Sequence, residues 1–542
     1  MWLSDAFPPM RRENHYGDRV IRCFQDRPPN LNCLLPEALS RSTSGEALVH
    51  DRLRLTYRDL DERVARVAAG LAAHGIGVGD RVALILDNGA PFVELVLAAW
   101  RLGAVVVPMN TRDQKPGYQH MLSDSAARLV VYEQALRDRL PSEADAPGLK
   151  HRLCVTATPS EPSYEALFEH GEQTDTAEVD EEDTAAILYT SGTTGKPKGA
   201  MLTHFGIIHS LMHFEWGMGL GPGDRSLITV PMSHVTGLVA LIGTALRAAG
   251  TLVIQREFKA SRFLELAARE RMTHTILVPA MYNLCLLDPE FDHYDLSEWR
   301  IGGYGGAPMP EVTINTLAEK LPHLQLMNAY GATETTSPAT MMPPAYTAGR
   351  GDSVGAPLPC AEVAVMDDAG RERPAGESGE VWIRGPMVVP GYWNNEAATA
   401  REFIGGFWRS GDIGSMDADG FLYVFDRKKD MINRGGYKVF TTEVENVLLA
   451  HPAVVEVAVV GQPCPVLGER VHAFVITGEA EVSSEVLRRH CTEALSDYKV
   501  PEGYTFRSEP LPRNPNGKVL KRALRDELTV SVSNGGGAQG RA

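Results

Sequence analysis

The chain has 542 residues, of which 44% are hydrophobic and 23% charged, and its formal net charge at pH 7 is −16. This length exceeds what one hydrophobic core supports, so two or more domains are expected. The acidic balance argues against a nucleic-acid-binding protein, which usually presents a basic surface, but it allows a local basic pocket for an anion. The seven cysteines are scattered without a C-x-x-C pair, which is typical of reduced cysteines in a cytoplasmic protein.

Neither a secretory signal nor a membrane span is predicted. The first twenty residues contain no uninterrupted apolar run. The longest apolar region, residues 226–254, is interrupted by Pro231, His234 and Arg247, which favours a buried strand and helix over a membrane helix.

The first three quarters of the chain alternate between strand and helix patterns. Residues 80–110 read as strand, helix, strand, because a β-branched run precedes apolar residues at helical spacing and a second apolar run. The alternation recurs from residue 251 to 280 and leads to the apolar run 324–330. Repeated βαβ units predict largely parallel sheets covered by helices, whose ligands gather at the carboxyl ends of strands.

The pattern changes near residue 351 to short strands separated by Gly and Pro, which predicts a small β-rich subdomain. A helix, two strands and a helix follow. The predicted fold class is therefore α/β multidomain: a large domain, residues 1–429, with two α/β subdomains and the β-rich subdomain, and a small α+β domain, residues 430–530. Residues 531–542 are rich in Gly and are predicted to be a disordered tail.

The stretch "ILYTSGTTGKPKGAML", residues 187–202, predicts a phosphate loop. Glycines and hydroxyl residues directly after a strand can bring many N–H and O–H donors close to one anion. The loop is not a Walker A loop, because Pro197 stands where Ser or Thr would hold Mg²⁺.

Seven further motifs follow in a consistent order: "PMSH" (231–234), "GGAPMP" (305–310), "NAYGATET" (328–335), "WRSGD" (408–412), "DRKKD" (426–430), "RGGYKV" (434–439) and "PRNPNGKVLKR" (512–522). Together with the phosphate loop, the series resembles the adenylate-forming superfamily of acyl- and aryl-CoA synthetases, nonribosomal adenylation domains and firefly luciferase. The likeness extends from about residue 45 to 525. It implies a mobile C-terminal domain and a ligase that uses ATP, Mg²⁺ and coenzyme A.

The implied reaction has two halves. A carboxylate attacks the α-phosphorus of ATP to give an acyl-adenylate and pyrophosphate, and a thiol then displaces AMP. A carboxylate is already ionised near neutral pH, so the first half needs alignment and charge neutralisation rather than a general base. By the resemblance, Glu334 would bind the metal, Thr333 would contact the α-phosphate and His234 would act at the mouth of the acyl pocket. A carboxylate is a suitable hard ligand for Mg²⁺.

The resemblance also implies a nucleotide site. Its phosphate-binding residues would be Thr190, Ser191, Gly192, Thr193, Thr194 and Lys198. Its adenine-binding residues would be the small Gly305, Gly306 and Ala307 together with Asn328, Ala329, Tyr330 and Gly331. Tyr330 would stack on the base and Asn328 would bond to its amine, while Asp412 would accept from the ribose hydroxyls. Arg427 would reach the ribose or a phosphate.

The catalytic lysine of the first half-reaction would be Lys518, in the small C-terminal domain. Asp430 matches the hinge about which this domain rotates. Gly436 and Lys438 would border the pantetheine tunnel. Two residues depart from many members of the superfamily: Asp426 stands where Gly is frequent, and Phe440 where a small residue or proline is frequent.

The predicted acyl pocket is mainly apolar or small, which suits a fatty, aromatic or polycyclic acid better than acetate. Its residues would be His234, Val235, Thr236, Gly237, Tyr282, Tyr304, Gly331 and Thr335. A free amino acid is disfavoured, because no Asp stands near "PMSH" to pair with an ammonium group. Hydrophobic pockets discriminate by only ~1–3 kcal/mol per methylene, so the acid itself is not identified.

Three alternatives stay open at this point. An acyl-carrier protein presents the same phosphopantetheine thiol as coenzyme A and could be the acceptor. Luciferase-type oxidation is not excluded by the motifs. The segment "GDSVG", residues 351–355, fits the G-x-S-x-G elbow of a serine hydrolase with Ser353 as nucleophile, although its flanks predict neither the strand nor the helix that the elbow requires. The protein could also form an oligomer.

Overall fold

The structure is a computed structural model that describes residues 7–156, 161–171, 175–190, 196–347, 349–478, 482–513 and 519–535, with side chains as far as Leu528. The chain divides into two compact units. The first contains Met1–Ala364, Trp382–Arg409 and Asp417–Leu422, and the second contains Val365–Val381, Ser410–Met416 and Tyr423–Ala542. This division differs from the single boundary expected at residue 430, because the strands of the β-rich segment are shared between the units.

A six-stranded sheet carries the phosphate loop. Its strands, in spatial order, are Lys198–Thr203, Thr184–Thr190, Val105–Pro108, Arg81–Ile85, Leu129–Tyr132 and His151–Cys154. All neighbours are parallel except the first pair. The sheet is buried on both faces, because Val82 and Leu84 point into the main core while Ala83 and Ile85 point into a second cluster. Such burial explains why its strands read as continuous apolar runs.

A nine-stranded sheet forms the rest of the parallel core. Its strands, in spatial order, are Ala356–Pro357, Thr340–Met341, Gln325–Tyr330, Ile301–Tyr304, His274–Leu277, Arg225–Ile228, Thr251–Ile254, Glu46–His50 and Leu53–Thr56. The central strands are parallel, and antiparallel pairs occur only at the two ends. The predicted largely parallel architecture is therefore confirmed.

The helices of the first unit are Leu34–Arg41, Tyr57–Ala73, Ala90–Arg101, Lys115–Ser125, His204–Met218, Thr244–Arg247, Ala260–Arg269, Pro279–Leu286, Glu311–Lys320 and Glu396–Glu402, with a π-helix at Thr236–Gly243. Short 3₁₀ helices cover Leu31–Cys33, Gln134–Arg139, Tyr164–Glu169, Phe291–His293, Thr333–Thr335 and Pro344–Tyr346. Local chemistry sets several boundaries. Thr56 and Asp59 form a capping box at the start of Tyr57–Ala73, where otherwise unpaired N–H groups need acceptors.

Two smaller sheets and a hairpin complete the strands. The hairpin pairs Met10–His15 with Arg19–Phe24. The β-rich sheet contains Glu362–Met366, Gly379–Arg384, Phe407–Met416 and Phe403–Ile404 in spatial order, with Leu422–Arg427 paired to the third of these. This sheet confirms the change to short strands that the sequence predicts after residue 351.

The second unit also contains a five-stranded sheet with helices. Its strands are Tyr437–Val439, Ile432–Arg434, Gly468–Thr477 and Val454–Cys464 in spatial order, with Gly503–Arg507 paired to the third. Its helices are Thr441–Leu449, Ser484–Ala494 and Lys521–Gly535, with a 3₁₀ turn at Asp497–Lys499. The last helix extends into residues 531–535, which the Gly-rich composition assigned to a tail, because no proline interrupts it before Gly535. In the described part of the chain, no helix is long and apolar enough to cross a membrane.

Candidate active site

The phosphate loop joins two paired strands. Thr184–Thr190 and Lys198–Thr203 are antiparallel, and Thr190 is the register partner of Lys198. Because Thr184–Thr190 is also parallel to Val105–Pro108, the loop starts at the carboxyl end of a parallel strand, where α/β sheets bind ligands. Four predicted phosphate-binding residues lie outside the described residues: Ser191, Gly192, Thr193 and Thr194.

Glu334 lies beside the first residue of the loop. It belongs to the 3₁₀ turn Thr333–Thr335 after the strand Gln325–Tyr330, and it is 8% exposed. Its Oε1 accepts hydrogen bonds from the hydroxyls of Thr190 at 3.1 Å and Tyr392 at 3.0 Å. Among the residues that the structure describes, none donates to Oε2 and no cationic side chain pairs with this carboxylate. One carboxylate oxygen thus remains for a hard cation such as Mg²⁺.

Lys198 differs from its predicted role. Its ammonium lies 2.7 Å from both carboxylate oxygens of Glu402 and 4.1 Å from the centroid of the Tyr392 ring, and the residue is buried. A buried ammonium that is held by a carboxylate and an aromatic face is already neutralised, so it is not presented to a phosphate group. Contact of Lys198 with a phosphate therefore stays a prediction, and in this structure its ammonium is paired with Glu402.

The predicted adenine wall follows the strand Ile301–Tyr304. A Cβ atom on Gly305 would lie 2.4 Å from the carbonyl oxygen of Ala329, and Gly306 has a φ of +78°, so both positions require glycine. The Nδ2 group of Asn328 donates to the Ser353 carbonyl at 3.2 Å. That bond leaves Oδ1, the atom that would accept from the amine of adenine. Ala307 is exposed, and Tyr330 is partly exposed.

His234 carries a neutral imidazole. Its Nδ1 accepts the backbone N–H of Thr236 at 3.3 Å, which puts the ring proton on Nε2. The residue keeps some exposure, yet burial of the ring lowers its pKa. Val235 and Gly237 are buried beside it, and a Cβ atom on Gly237 would lie 2.3 Å from the Pro231 carbonyl oxygen. The π-helix that starts at Thr236 sets this geometry; such helices are frequent at functional sites.

Two predicted pocket residues pack in the main hydrophobic core. Tyr282 and Tyr304 are 0% and 1% exposed, and the Tyr282 hydroxyl donates to the Gly303 carbonyl at 2.9 Å. Thr335 is also fully buried, and its hydroxyl accepts the Ala332 N–H at 2.8 Å. A Cβ atom on Gly331 would lie 2.9 Å from that hydroxyl oxygen. Contact of these residues with an acid stays a prediction.

In the second unit, Asp412 and Arg427 meet as an ion pair. Arg427 Nε lies 2.7 Å from Asp412 Oδ1, and its Nη1 donates to the Ser410 carbonyl at 3.2 Å. Asp412 is buried, and its backbone N–H donates to the Ser410 hydroxyl at 2.9 Å. The two predicted ribose residues are thus brought together. The Asp412 carboxylate is the acceptor group, and the Arg427 guanidinium is the donor group.

The predicted hinge and tunnel residues also lie in the second unit. Asp430 forms an ion pair with Arg525. Gly436 has a φ of +91° in the turn between Ile432–Arg434 and Tyr437–Val439, so its glycine is explained by the turn itself. Lys438 is exposed on the second of these strands. Lys518 lies outside the described residues.

Ser353 is not a hydrolase nucleophile. It is fully buried, and its hydroxyl donates to the Leu422 carbonyl at 2.8 Å and accepts the Gly355 N–H at 3.0 Å. These bonds make it a turn residue, which removes the hydrolase alternative.

Two residues of the Glu334 environment were missed by sequence reasoning. Tyr392 ends a Gly- and Pro-containing segment, and Glu402 ends the helix Glu396–Glu402, where a charged residue is ordinary. Before the fold is known, nothing in the sequence around Tyr392 or Glu402 indicates a contact with Glu334 or Lys198.

Known families and proteins match nearly the whole chain. The AMP-binding enzyme family matches residues 35–393, and the AMP-binding enzyme C-terminal domain matches residues 443–518. The long-chain-fatty-acid–CoA ligase FadD13 of Mycobacterium tuberculosis is 36% identical over 93% of this chain and 99% of its own length. The feruloyl-CoA synthase of an Amycolatopsis species is 33% identical over 89% and 96%. The structure of Bacillus subtilis o-succinylbenzoate CoA synthetase with its acyl-adenylate intermediate matches with a TM-score of 0.83 and 29% identity, covering 92% of this chain and 99% of that one.

The chain therefore belongs to the AMP-binding enzyme family, within the adenylate-forming superfamily predicted from its motifs. The predicted enzyme class, an ATP-dependent, AMP-forming acid–CoA ligase, is confirmed.

Proposed function

We propose that this enzyme activates a hydrophobic carboxylic acid as its acyl-adenylate, with Mg²⁺ at Glu334, and transfers the acyl group to coenzyme A. The observation that supports the proposal is the buried Glu334 carboxylate, which lies beside the start of the phosphate loop without a described cationic partner. A buried, unneutralised carboxylate is costly, and a bound cation removes that cost.

The residues around Glu334 fit a metal bound beside phosphates. Glu334 would supply one carboxylate oxygen, and the remaining ligands would come from phosphate oxygens and water, as is usual for Mg²⁺. When bound, the metal supplies positive charge that stabilises the phosphate oxygens. Thr190 holds the other carboxylate oxygen of Glu334 through its hydroxyl.

The first half-reaction is in-line displacement at phosphorus. A carboxylate oxygen of the acid forms a bond to the α-phosphorus, and the bond to the bridging oxygen of pyrophosphate breaks. His234 can donate from Nε2 to the reacting carboxylate without adding a charge that would bind it too tightly in the ground state. Asn328 would accept from the adenine amine, and Asp412 would accept from the ribose hydroxyls.

The second half-reaction forms the thioester. The thiol sulfur attacks the acyl carbon, the bond from that carbon to the phosphate oxygen of AMP breaks, and the thiol proton passes to solvent. Lys518 would neutralise the reacting groups in the first half-reaction and leave when the C-terminal domain rotates about Asp430. Gly436 and Lys438 would then border the path of the pantetheine chain.

The acid is proposed to be a fatty, aromatic or polycyclic acid. Val235 and the π-helix Thr236–Gly243, which contains Gly237, are mainly apolar or small, so they suit a hydrophobic chain or ring. The relatives include one ligase named for long-chain fatty acids and one synthase named for feruloyl-CoA.

The direct test is pyrophosphate release with ATP and Mg²⁺ across a panel of acids, with and without coenzyme A. The panel contains long-chain fatty acids, hydroxycinnamic acids and polycyclic acids, with acetate and a free amino acid as controls. We expect release with at least one hydrophobic acid, with acyl-CoA as product. Release with an acyl-adenylate that coenzyme A does not consume would favour a carrier protein. Release with the amino acid alone would contradict the proposed substrate class.

A second test concerns Lys518. Lys518→Ala should lower the rate of adenylate formation by about 10²–10³-fold, because it removes one charged group from a transition state with concentrated negative charge. Thioester formation from supplied acyl-adenylate should be retained. Lys150→Ala, a change at an exposed lysine of the first unit, is the control. Equal loss of both half-reactions in the Lys518 variant would contradict the assigned role.

A further inference from the structure

The hydroxyl of Tyr392 lies between two carboxylates. It is 3.0 Å from Glu334 Oε1 and 2.6 Å from Glu402 Oε2, and Tyr392 is 3% exposed. A phenol has one proton, so it donates to one carboxylate at a time.

The charges around this hydroxyl do not balance. Lys198 neutralises Glu402, and although burial acts in the opposite direction, this ion pair helps to lower the pKa of Glu402. Glu334 adds a second negative charge. Within the described part of the chain the cluster of Lys198, Glu402, Tyr392 and Glu334 therefore carries a net charge of −1. That surplus lies on Glu334, the residue that is proposed to bind Mg²⁺.

Backbone hydrogen bonds fix the position of Tyr392. The N–H of Trp393 donates to the Gly199 carbonyl at 2.7 Å, and the N–H of Met201 donates to the Gly391 carbonyl at 3.2 Å. The N–H of Val389 donates to the carbonyl of Glu334 itself at 3.0 Å. The segment 389–393 is thus tied both to the strand after the phosphate loop and to the turn that carries Glu334.

We infer that Tyr392 is a positioning residue for the metal site. Its hydroxyl shares one proton between Glu334 Oε1 and Glu402 Oε2, and the Thr190 hydroxyl donates to the same Oε1 of Glu334. Oε2 is then the oxygen of Glu334 that is left for the cation. The Lys198 ammonium lies over the face of the Tyr392 ring, and Glu402 contacts the Tyr392 hydroxyl. The ion pair with Glu402 also keeps the Lys198 ammonium away from Glu334. This inference rests on the proposed function, in which Glu334 binds Mg²⁺.

The test measures how much Mg²⁺ strengthens ATP binding. ATP is titrated calorimetrically into the full-length protein in excess EDTA and in excess Mg²⁺, and the ratio of the two dissociation constants is the Mg²⁺ enhancement. Tyr392→Phe keeps the ring over Lys198 and removes only the hydroxyl. We expect its enhancement to fall by about tenfold or more, the usual effect of losing a partner of a metal ligand, with unchanged ATP affinity in EDTA.

A matched control is available in the same unit. The buried Tyr164 hydroxyl donates to the buried Glu94, which is paired with Arg63 at 2.7 Å. Tyr164→Phe therefore removes the same kind of hydrogen bond from an ion-paired carboxylate outside the site, and it should keep the wild-type Mg²⁺ enhancement. Equal reductions in Tyr392→Phe and Tyr164→Phe would overturn the inference, because the effect would then be general destabilisation.

Glu334→Gln separates the inference from the function on which it rests. Wild-type enhancement in Tyr392→Phe, with loss in Glu334→Gln, would overturn the positioning role and leave the metal site standing. Wild-type enhancement in Glu334→Gln would overturn the metal site and the inference with it.

If Tyr392→Phe does not fold, Glu402→Gln replaces it. The Lys198 ammonium would then lose its carboxylate partner and neutralise Glu334, so the Mg²⁺ enhancement of ATP binding should fall. Wild-type enhancement in that folded variant would count against the inference.

Discussion

Several histidines of the first unit are held neutral by burial. His209 accepts the Phe24 N–H on Nε2 at 3.2 Å and hydrogen-bonds the Phe205 carbonyl through Nδ1 at 2.9 Å, so its ring bridges a helix and the hairpin. His213, four residues later, contacts the Pro359 carbonyl at 2.6 Å. Both belong to the helix His204–Met218. Burial lowers the pKa of each.

His274 provides a test of this burial. It is fully buried in the nine-stranded sheet, Nδ1 lies 2.9 Å from the Ser226 hydroxyl, and burial lowers its pKa to about 4. Below about pH 6.5 the unfolded chain binds a proton that the folded chain refuses, so stability falls as the pH falls toward 4. The free energy of unfolding should therefore fall between about pH 6.5 and pH 5 in the wild-type protein. In His274→Asn that fall should be smaller by on the order of 2 kcal/mol, as measured by urea unfolding at both pH values.

His293→Asn is the control for His274→Asn. It makes the same replacement at an exposed histidine in the 3₁₀ turn Phe291–His293. The two variants are compared at the same two pH values. An equal change in pH dependence in both would rule out burial of His274 as its cause.

At the scale of an element, Asp426 caps a helix from outside it. Its Oδ2 accepts the N–H of Thr441 at 2.5 Å and the Thr441 hydroxyl at 2.7 Å, and its Oδ1 accepts the Arg427 N–H at 2.7 Å. Thr441 is the first residue of the helix Thr441–Leu449, whose N-terminal N–H groups need acceptors and favour negative charge. A Gly at position 426 would leave those groups unsatisfied. Phe440 packs on Phe425, with ring centroids 5.2 Å apart.

Asp426→Ala should loosen that helix. We expect the free energy of local opening for Thr441–Leu449 to fall by about 1–3 kcal/mol, because a buried N–H and hydroxyl lose their acceptor. Amide hydrogen exchange measures this loss directly, and the helix Ser484–Ala494 provides an internal reference.

Asp59→Ala is the matched variant in the first unit. Asp59 accepts the Thr56 N–H at 2.9 Å in the capping box of the helix Tyr57–Ala73. Its replacement should lower protection in that helix alone. If Asp426→Ala leaves the exchange of Thr441–Leu449 unchanged, the cap does not stabilise the helix.

At the scale of the whole molecule, all seven cysteines are free thiols and six are buried. Cys33 is the partly exposed one. The backbone N–H groups of Leu467 and Val466 lower the pKa of Cys464, whereas burial raises the pKa of Cys285 to about 12. The thiolate is the reactive form, so exposure and a lowered pKa decide which thiols react first.

Thiol titration without a reductant tests this arrangement. We expect all seven cysteines to react in guanidinium and Cys33, the one that is partly exposed, to react first in the native protein. Among the six buried thiols, Cys464 should react before the others, because its pKa is lowered. Fewer than seven reactive thiols in guanidinium would mean that a disulfide has formed.

The sequence alone predicted several of the elements, the largely parallel sheets and the superfamily. The spacing of apolar residues indicates which face of a helix or strand is buried. Residues 80–110 accordingly form the predicted strand, helix and strand, at Arg81–Ile85, Ala90–Arg101 and Val105–Pro108. Glu334 was also predicted from its motif. Motifs are local, because a loop that holds phosphate needs its glycines and hydroxyls next to one another.

Only the tertiary structure decided the partners of these residues. Lys198 meets Glu402 across 204 positions of sequence, and Tyr392 meets Glu334 across 58. Nothing near Lys198 in sequence indicates that its charge is neutralised. Contacts of this kind depend on strand order and on the return of a distant segment to the sheet edge. For the same physical reason, the requirement for glycine at Gly306 can be inferred locally, whereas the contact between Tyr392 and Glu334 exists only in the folded chain.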